Sequence, residues 1–528
     1  MAVADAAVPL LPSHSGDITG NSPQSKEPSF NKKNTAINSI NDAIERYMDA
    51  AASPTHLLLA ALAAFAWIFD AQQAFISIFS DASPPWHCTS SACSPSSTPC
   101  NFPSSSWSYS LPSHISTISD FSIYCASPVL VGLPASSFFA GCLFGGLLLA
   151  TIADSQLGRK NTLVLTTLSM SIASVLTAFS PNYAAYTVFR FISGFARANI
   201  STSAFVLSSE LVPRRHRDQI SILNFFFYTI GFLSLPAVAF LNKTLSWRSL
   251  YLYTSIPCFF YSIILHFSMK ESPRWLLIKG RTEEAIETLK NLTFIEKQSF
   301  SDLTEIEKIA AAASAESNIF SAARILWEKR WAVRRLAAIS AVSFGVGIVY
   351  YGMPLSLGNL TANLYLSTAL NAVAELPSSL AAFLIARWMN RRSSMVAFTM
   401  VSGICCLVCT VMAGGGWVEM AAELGSFFAA CTAFDLMIIY SAELFPTCVR
   451  NSAIAVVRQV VVIGGAVAPV MVAAGRRRKF LSFGLFGIMI FFGGLFAGFL
   501  PETKGCGISD TMEEEEIKEI AARNTRSC

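Results

Sequence analysis

Five ionisable side chains stand in stretches whose only other solvent would be lipid. Asp70 lies in "AWIFDAQQAF", Arg190 in "YTVFRFISGF", Glu375 in "NAVAELPSSL", Asp435 in "CTAFDLMIIY" and Arg458 in "IAVVRQVVV". A charge inside a membrane span costs about 2.5–3.5 kcal/mol on insertion scales, so each needs a reason to be there. The chemistry such groups offer is the exchange of protons and the pairing of charge. Burial strengthens a carboxyl's hold on its proton, and a nearby guanidinium weakens it. Asp70 is thus a candidate proton acceptor, and Arg190 is a guanidinium at matching depth. Both lie roughly 12–15 Å below the outer surface at 1.5 Å per residue. Glu375, near the middle of its run, can counter a substrate cation, with Pro377 beside it freeing backbone carbonyls. Asp435 and Arg458, each roughly 8–9 Å from the inner ends of their runs, read either as a structural bridge or as contacts to substrate. Tyr350 and Tyr351, in "VYYGMPL", present ring faces that attract quaternary ammonium by about 0.5–2 kcal/mol. Arg197 and Asn199 add further polar groups to the run that holds Arg190.

The elements that position these residues are long apolar helices. Of the 528 residues, 53% are hydrophobic and only 14% charged, where a soluble protein carries about 25% charged residues. Apolar runs fall near 56–80, 131–153, 161–180, 182–208, 219–241 and 248–268, and again near 335–356, 363–386, 394–413, 418–440, 452–474 and 480–500. Each can cross about 30 Å of hydrocarbon as a helix, the open-chain solution that satisfies backbone groups in lipid. The reading is an all-α membrane protein of twelve transmembrane helices in two six-helix bundles. Its units are a cytosolic tail (1–55), an N-half bundle (56–268), a cytosolic middle loop (269–334), a C-half bundle (335–500) and a cytosolic C-terminal tail (501–528). Lys and Arg concentrate on the loops assigned inside and are missing from 81–125, which is the positive-inside pattern. "GRRRK", Gly475 to Lys479, stands against that pattern.

An internal echo supports the two halves. "SELVPRRHR" and "AELFPTCVR" place Glu210 and Glu443 233 positions apart, each with Pro three residues on and Arg seven residues on. The same offset carries Asp154 of "ADSQLGRK" onto Arg387 and Arg159 onto Arg392. Parallel six-helix repeats are a transporter architecture with the substrate site between the halves. Asp154, Arg159, Glu210, Arg217, Glu443 and Arg450 then read as a latch that pairs across the bundles at their inner ends.

These motifs resemble the major facilitator superfamily, and more narrowly its organic cation/carnitine transporter family in the plant branch. "ADSQLGRK", "KESPRWLLIKGR", "ELP", "YSAELFPTCVRN" and "LPETKG" carry the resemblance in order along the chain. The sequence departs from the pattern at Ala150, Ser155 and Arg387, where the family has Gly, a base and an acid. The resemblance implies alternating access, with helices one and four face to face, so that Asp70 and Arg190 meet as in proton-coupled sugar porters. It also implies that Tyr350 or Tyr351 lines the cation site. At Val462 the family's acid or base is missing, which leaves substrate charge open. The expected activity is secondary transport of small organic cations or carnitine, coupled to a proton or another ion, in a monomer within a lipid bilayer. An organic-anion or sugar carrier, or a sensor that binds without transporting, are the alternatives. No cofactor, metal, enzyme activity or nucleic-acid partner is expected; neither a nucleophile–base cluster nor a phosphate-binding Gly-rich loop occurs.

Cys88, Cys93, Cys100 and Cys125 share the outer loop. Four cysteines on an oxidising face suggest two disulfides, with three possible connectivities. Asn242 and Asn359 head glycosylation sequons that hug a span. "DAAVPLL", Asp5 to Leu11, resembles an acidic dileucine signal that directs plant proteins to the vacuole, so the vacuolar membrane is favoured over the plasma membrane. "MEEEEIKEI" reads as a solvated helix.

Overall fold

The computed structural model describes residue 45 and residues 54–90, 93, 99–152, 157–292, 326–360, 362–412, 416–476, 478–505 and 509–526. Among these, ten continuous helices are long and apolar enough to cross a membrane. They are α1 (Thr55–Ser80), α2 (Pro128–Ile152), α3 (Arg159–Ala178), α5 (Arg214–Leu241), α6 (Trp247–Ser268), α7 (Arg330–Ser356), α8 (Leu364–Trp388), α9 (Arg391–Val411), α10 (Trp417–Leu444) and α11 (Thr447–Gly475). Two more complete the set of twelve. The fourth, α4, is broken into Tyr183–Arg197 and Ile200–Glu210, and the last, α12, is the shorter apolar Phe483–Phe499. A further helix, α13 (Met512–Arg526), follows the spans.

The largest buried cluster runs through both halves and a second lies within the N half; the halves meet along two main seams, α2 against α11 and α5 against α8. Within the N half, α2 and α4 pack closely because glycine lets backbones touch. A Cβ on Gly194 would lie 1.9 Å from the Phe138 carbonyl oxygen, and one on Gly141 would lie 2.1 Å from that of Phe191.

The echo seen in the sequence has a structural counterpart. α3 begins after Gly158, whose φ of +83° lies in the left-handed region. Its first amides, Arg159 and Lys160, donate to Glu271 Oε1 at 2.8 and 3.0 Å. α9 begins the same way, with the Arg391 and Arg392 amides donating to Glu502 at 2.8 and 3.1 Å. Each carboxylate satisfies two of the unpaired donors at a helix start and sits at the positive end of the helix dipole. "KESPRW" and "LPETKG" therefore do the same job one repeat apart.

The face that holds these motifs also holds both described ends of the chain. Glu45 gathers Arg214, Arg217 and Arg274. α13 is docked, not solvated as its composition suggests: Glu515 bonds Arg335 at 2.7 Å, Glu516 bonds Lys329 at 2.7 Å and Glu519 bonds Arg334 at 2.5 Å. The basic start of α7 supplies a partner for the acidic run. Burial favours the neutral acid at Glu515, but hydrogen bonds from Ser509 and Arg335 outweigh it and hold the carboxyl below its ordinary range.

On the opposite face, β1 (Trp86–Cys88) pairs antiparallel with β2 (Trp107–Tyr109). Disulfides join Cys88 to Cys93 and Cys100 to Cys125, which selects one of the three connectivities. Arg476 of "GRRRK" lies on this face and donates to the Asp81 carbonyl at 2.8 Å, linking the halves. The cluster that broke the charge pattern thus belongs to an inter-half contact. Burial pulls the Arg476 guanidinium down to about 10, against the opposing pull of Asp81.

Replacing Glu271 or Glu502 with Ala strands two helix-start amides in each case. Each variant should lose about 1–3 kcal/mol of stability, read as a lower melting temperature by circular dichroism in detergent. A loss from only one of the two would show that the caps are not equivalent.

Candidate functional site

The break in α4 positions the site's main charge pair. Helix ends at Arg197, Ala198 and Asn199 form a turn, and helix resumes at Ile200. Arg197, at the lip of the break, crosses to α1. Its Nη2 meets Asp70 Oδ2 at 2.9 Å and its Nε donates to the Asp70 carbonyl at 3.3 Å. Both residues are buried, Asp70 to 1% exposure and Arg197 to 8%. The second carboxylate oxygen of Asp70 has no hydrogen-bond partner.

The pairing of Asp70 with Arg190 expected from depth does not form. Arg190 donates instead to Ser77 at 3.1 Å and lies 4.2 Å above the centre of the Phe138 ring. The reason is register between antiparallel helices. Seven residues separate Asp70 from Ser77 and Arg190 from Arg197, two turns in each helix, so both arginines share the face toward α1. Arg190 misses Asp70 by about 10 Å along the axis, and Arg197, two turns deeper, takes its place. Nε and Nη1 of Arg190 have no hydrogen-bond acceptor.

The C half supplies the opposite charge. Tyr350 donates to Glu375 at 2.7 Å, fixing a carboxylate of α8 beside α7. The Tyr350 ring stacks on Phe434 with centroids 4.9 Å apart and lies 6.1 Å from Phe427. Tyr351, the next residue, points about 100° away around the helix and packs instead on Phe139 and Phe75 of the N half. The two tyrosines therefore divide between the halves.

Asp435 and Arg458 are not bridged. Asp435 lies near Ser379 of α8, whereas Arg458 reaches the N half and donates to Thr202 at 3.2 Å. α11 packs chiefly against α7 and α2, so its Arg458 faces the gap between halves. Arg458 and Thr202 are exposed although both lie well inside the bundle. A hollow therefore reaches them. Arg458 is also within electrostatic reach of Tyr351, Asp70 and Arg197.

The contacts that shut the halves lie on the disulfide-loop face: Arg476 on Asp81, Phe79 stacked on Tyr365 at 5.6 Å, and Gly132 against the Pro469 backbone. Among the described latch residues on the motif face, Glu443 and Arg217 turn to partners outside the latch. Glu443 bonds Arg391 at 2.9 Å and Thr503 at 2.6 Å rather than Arg450. Arg217 turns to Glu45 and to the Ser209 carbonyl. Arg159 contributes its amide to Glu271. Glu210 Oε2 and Arg450 Nε and Nη2 are buried without hydrogen-bond partners. Asp154 lies outside the described residues, as does the "DAAVPLL" stretch. Where two latch residues share a half, the nearer neighbour wins: α9 and α10 pack side by side, so Arg391 reaches Glu443 first.

Sequence reasoning passed over two acids. Glu419 and Glu423, in "WVEMAAELGSFF", are buried to 1% and 0%. They meet the criterion that singled out Asp70, an acid inside an apolar run. Arg197 was visible as a polar residue, but its direction was not.

The fold and the hollow define a multi-pass membrane transporter of the major facilitator superfamily. The family model described as "Sugar (and other) transporter" matches residues 60–514. Organic cation/carnitine transporter 2 of Arabidopsis thaliana is 47% identical over 499 residues, covering 91% of this chain and 94% of its own length. Organic cation/carnitine transporter 3 of the same plant is 48% identical over 475 residues, covering 88% and 91%. Organic anion transporter 3 of Sus scrofa is 28% identical over 430 residues, covering 80% and 78%. The inward open conformation of the xylose transporter XylE from E. coli superimposes with a TM-score of 0.62 at 18% identity, covering 85% of this chain and 96% of that one, a likeness of fold. The chain belongs to the organic cation/carnitine transporter family.

Removing Arg197 leaves Asp70 buried and unpaired, a change that typically costs about 3–5 kcal/mol. Arg197→Gln should therefore destabilise the detergent-solubilised protein well beyond Arg190→Gln, which removes a guanidinium with no carboxylate partner. Equal losses in thermal unfolding would contradict the pairing described here.

Proposed function

We propose that this transporter carries small organic cations and carnitine, coupled to protons, by alternating access. The observation that carries this reading is the two-pole hollow. On the C-half wall, Glu375, Asp435 and the stacked rings of Tyr350 and Phe434 form an acidic, aromatic pole. Facing it, Arg458 stands exposed near the Asp70–Arg197 pair. A trimethylammonium group suits the first pole through charge and ring-face attraction. A carboxylate suits the second, where a guanidinium offers paired donors. A zwitterion such as carnitine spans both, and a simple cation uses the first alone. The names of the Arabidopsis relatives, organic cation/carnitine transporters, accord with this.

Asp70 is the proposed proton acceptor, with Arg197 taking the role that depth alone assigned to Arg190. When Arg197 holds Asp70, the carboxylate is favoured. A shift of α4 against α1 by two turns' worth of register, or a turn of the Arg197 side chain toward substrate, frees Asp70 to take a proton. Arg190, on the same helix face, is the second cation such a shift would bring into play. Glu210, Arg217, Glu443 and Arg450 are proposed to pair across the halves when the hollow closes on the motif face. The two units, 56–268 and 335–500, are proposed to rock as bodies, with both termini cytosolic and the protein in the vacuolar or plasma membrane.

A second reading has one specific support. Arg458 is a free-facing base in the hollow, and a relative at 28% identity is named an organic anion transporter. In that reading the substrate is an organic anion, and Arg458 is its counter-charge.

The readings separate by uptake of labelled carnitine and tetraethylammonium into proteoliposomes. Arg458→Gln should weaken carnitine uptake about tenfold or more, as for the loss of a charged hydrogen bond of roughly 1.5–3 kcal/mol, and leave tetraethylammonium nearly unchanged. Glu375→Gln should weaken both. Transport of a plain anion that survives Glu375→Gln and fails in Arg458→Gln would favour the second reading.

Proton coupling has its own measurement. With an imposed pH gradient, Asp70→Asn should abolish uphill accumulation and spare substrate exchange. Accumulation at the wild-type level in that variant removes Asp70 from the coupling.

A further inference from the structure

A third acid of the C half is placed unlike the others. Glu423 is fully buried at 0% exposure between α10 and α8. It lies six residues past Trp417, about 9 Å into α10 from the disulfide-loop face at 1.5 Å per residue. Its one protein hydrogen bond comes from Asn371 Nδ2, which reaches Oε2 at 3.0 Å and also donates to the Ser367 carbonyl at 3.0 Å. Glu423 Oε1 and Asn371 Oδ1 are both buried and lack partners, as does the Ser367 hydroxyl. Asn371 is itself 0% exposed. Its Oδ1 belongs to the amide that grips Glu423, so two unpartnered acceptors share one buried site, and the Ser367 hydroxyl bonds neither of them.

An ionised carboxylate taken out of water and left unpaired is costly, and such groups neutralise instead. No arginine, lysine or histidine among the described residues acts on Glu423. The titratable groups around it are acidic or neutral. Cys406 and Cys409 face it from α9. Cys431 and Glu419 lie on its own helix. Glu375 stands on α8 one turn beyond Asn371, and Tyr350 of α7 lies beyond Glu375. What the site lacks is one hydrogen-bond donor at Oε1, and a proton supplies it.

We propose that Glu423, gripped by Asn371, is a proton-binding site of the C half, separate from Asp70. The step is one O–H bond: Oε1 takes a proton from water, and the neutral acid later returns it to water. The position gives this a direction. Glu423, Glu375 and Asp435 lie about 9, 16 and 27 Å from the loop-face ends of their helices. Cys431 is within electrostatic reach of all three. The three acids make a ladder across the half, with Glu423 its rung nearest the loop face and Glu375 at the substrate pole. The inference goes beyond the Asp70 coupling and rests on the transporter reading only for its purpose, not for its chemistry.

The test uses the full-length protein in liposomes and infrared difference spectra between acidic and alkaline buffer. Wild type should lose the carbonyl stretch of a buried protonated carboxyl on alkalinisation. That band should be missing from Glu423→Gln. In Asn371→Leu, which keeps the acid and removes its grip, the band should persist and titrate at a shifted pH. Should Glu423→Gln fail to fold, the Asn371→Leu shift alone decides. A band unchanged in both variants overturns the proposal. So does a band lost in Asp70→Asn instead, which assigns the proton to α1 and leaves the coupling reading intact. A band removed by adding sodium at constant pH also overturns it, because the site then holds an alkali cation. Wild-type vesicles that show the Glu423 band but move no protons with substrate would fail the coupling reading alone.

Discussion

The bond between Arg197 and Asp70 is the interaction on which the centre of this molecule turns. An unpaired carboxylate at that depth would be neutralised or expelled, and an unpaired guanidinium cannot give up its proton. Together at 2.9 Å they persist in a place where either alone would be out of position. The pair needs a particular backbone to form. α4 breaks at Ala198 and Asn199, which lets Arg197 leave the helix face at the level of Asp70. α2 lies close enough, through Gly141 and Gly194, to put Phe138 between the two arginines. Charge pairing, aromatic contact and helix packing therefore meet in one small volume.

The same cost governs the rest of the charge distribution. At the motif face, where water is near, acids and bases are numerous and shared. Glu45 serves three arginines, α13 lays its acids on the start of α7, and Glu271 and Glu502 cap helices. The more exposed of these pairs, such as Lys329 with Glu516, contribute little to stability but fix geometry. Deep in the spans, four ionisable groups outside the Asp70–Arg197 pair have neutral neighbours. Glu375 leans on a tyrosine, Glu423 on an asparagine and Arg458 on a threonine of the other half, while Asp435 lies near a serine. These partners are neutral. Neutral partners let a group gain or lose charge, or exchange its partner for a substrate, without breaking an ion pair.

The two faces also differ in what joins the halves. On the disulfide-loop face, Arg476 and the ring of Tyr365 tie one half to the other. On the motif face, the observed pairs of Glu443 and Arg217 stay within their own halves. A protein that opens alternately needs contacts on each face that can be made and lost. The loop-face set is made here, and on the motif face atoms of Glu210 and Arg450 are buried without hydrogen-bond partners.

Twelve spans, their two-fold repetition and the family were all legible in the residues. Lipid leaves the backbone one open-chain solution, and apolar length reports it directly. The motif pairs at a fixed offset reported the duplication for the same reason: each half must build the same helix junctions. Asp70, Glu375, Tyr350 and Arg458 were equally visible as costly residues in costly places. Partnership was not. Depth measured along single helices put Arg190 beside Asp70, and only the register of α4 against α1 moved the bond two turns, to Arg197. Asp435 and Arg458 matched in depth, yet they face different neighbours because α11 packs on α7 and α2. The acidic tail read as solvated until α7 was seen to offer it bases. Sequence thus determined which groups must find partners, because that follows from their own chemistry and the length of apolar chain around them. Tertiary structure decided which partners they found, because that depends on the rotation and offset of one helix against another, which no single helix records.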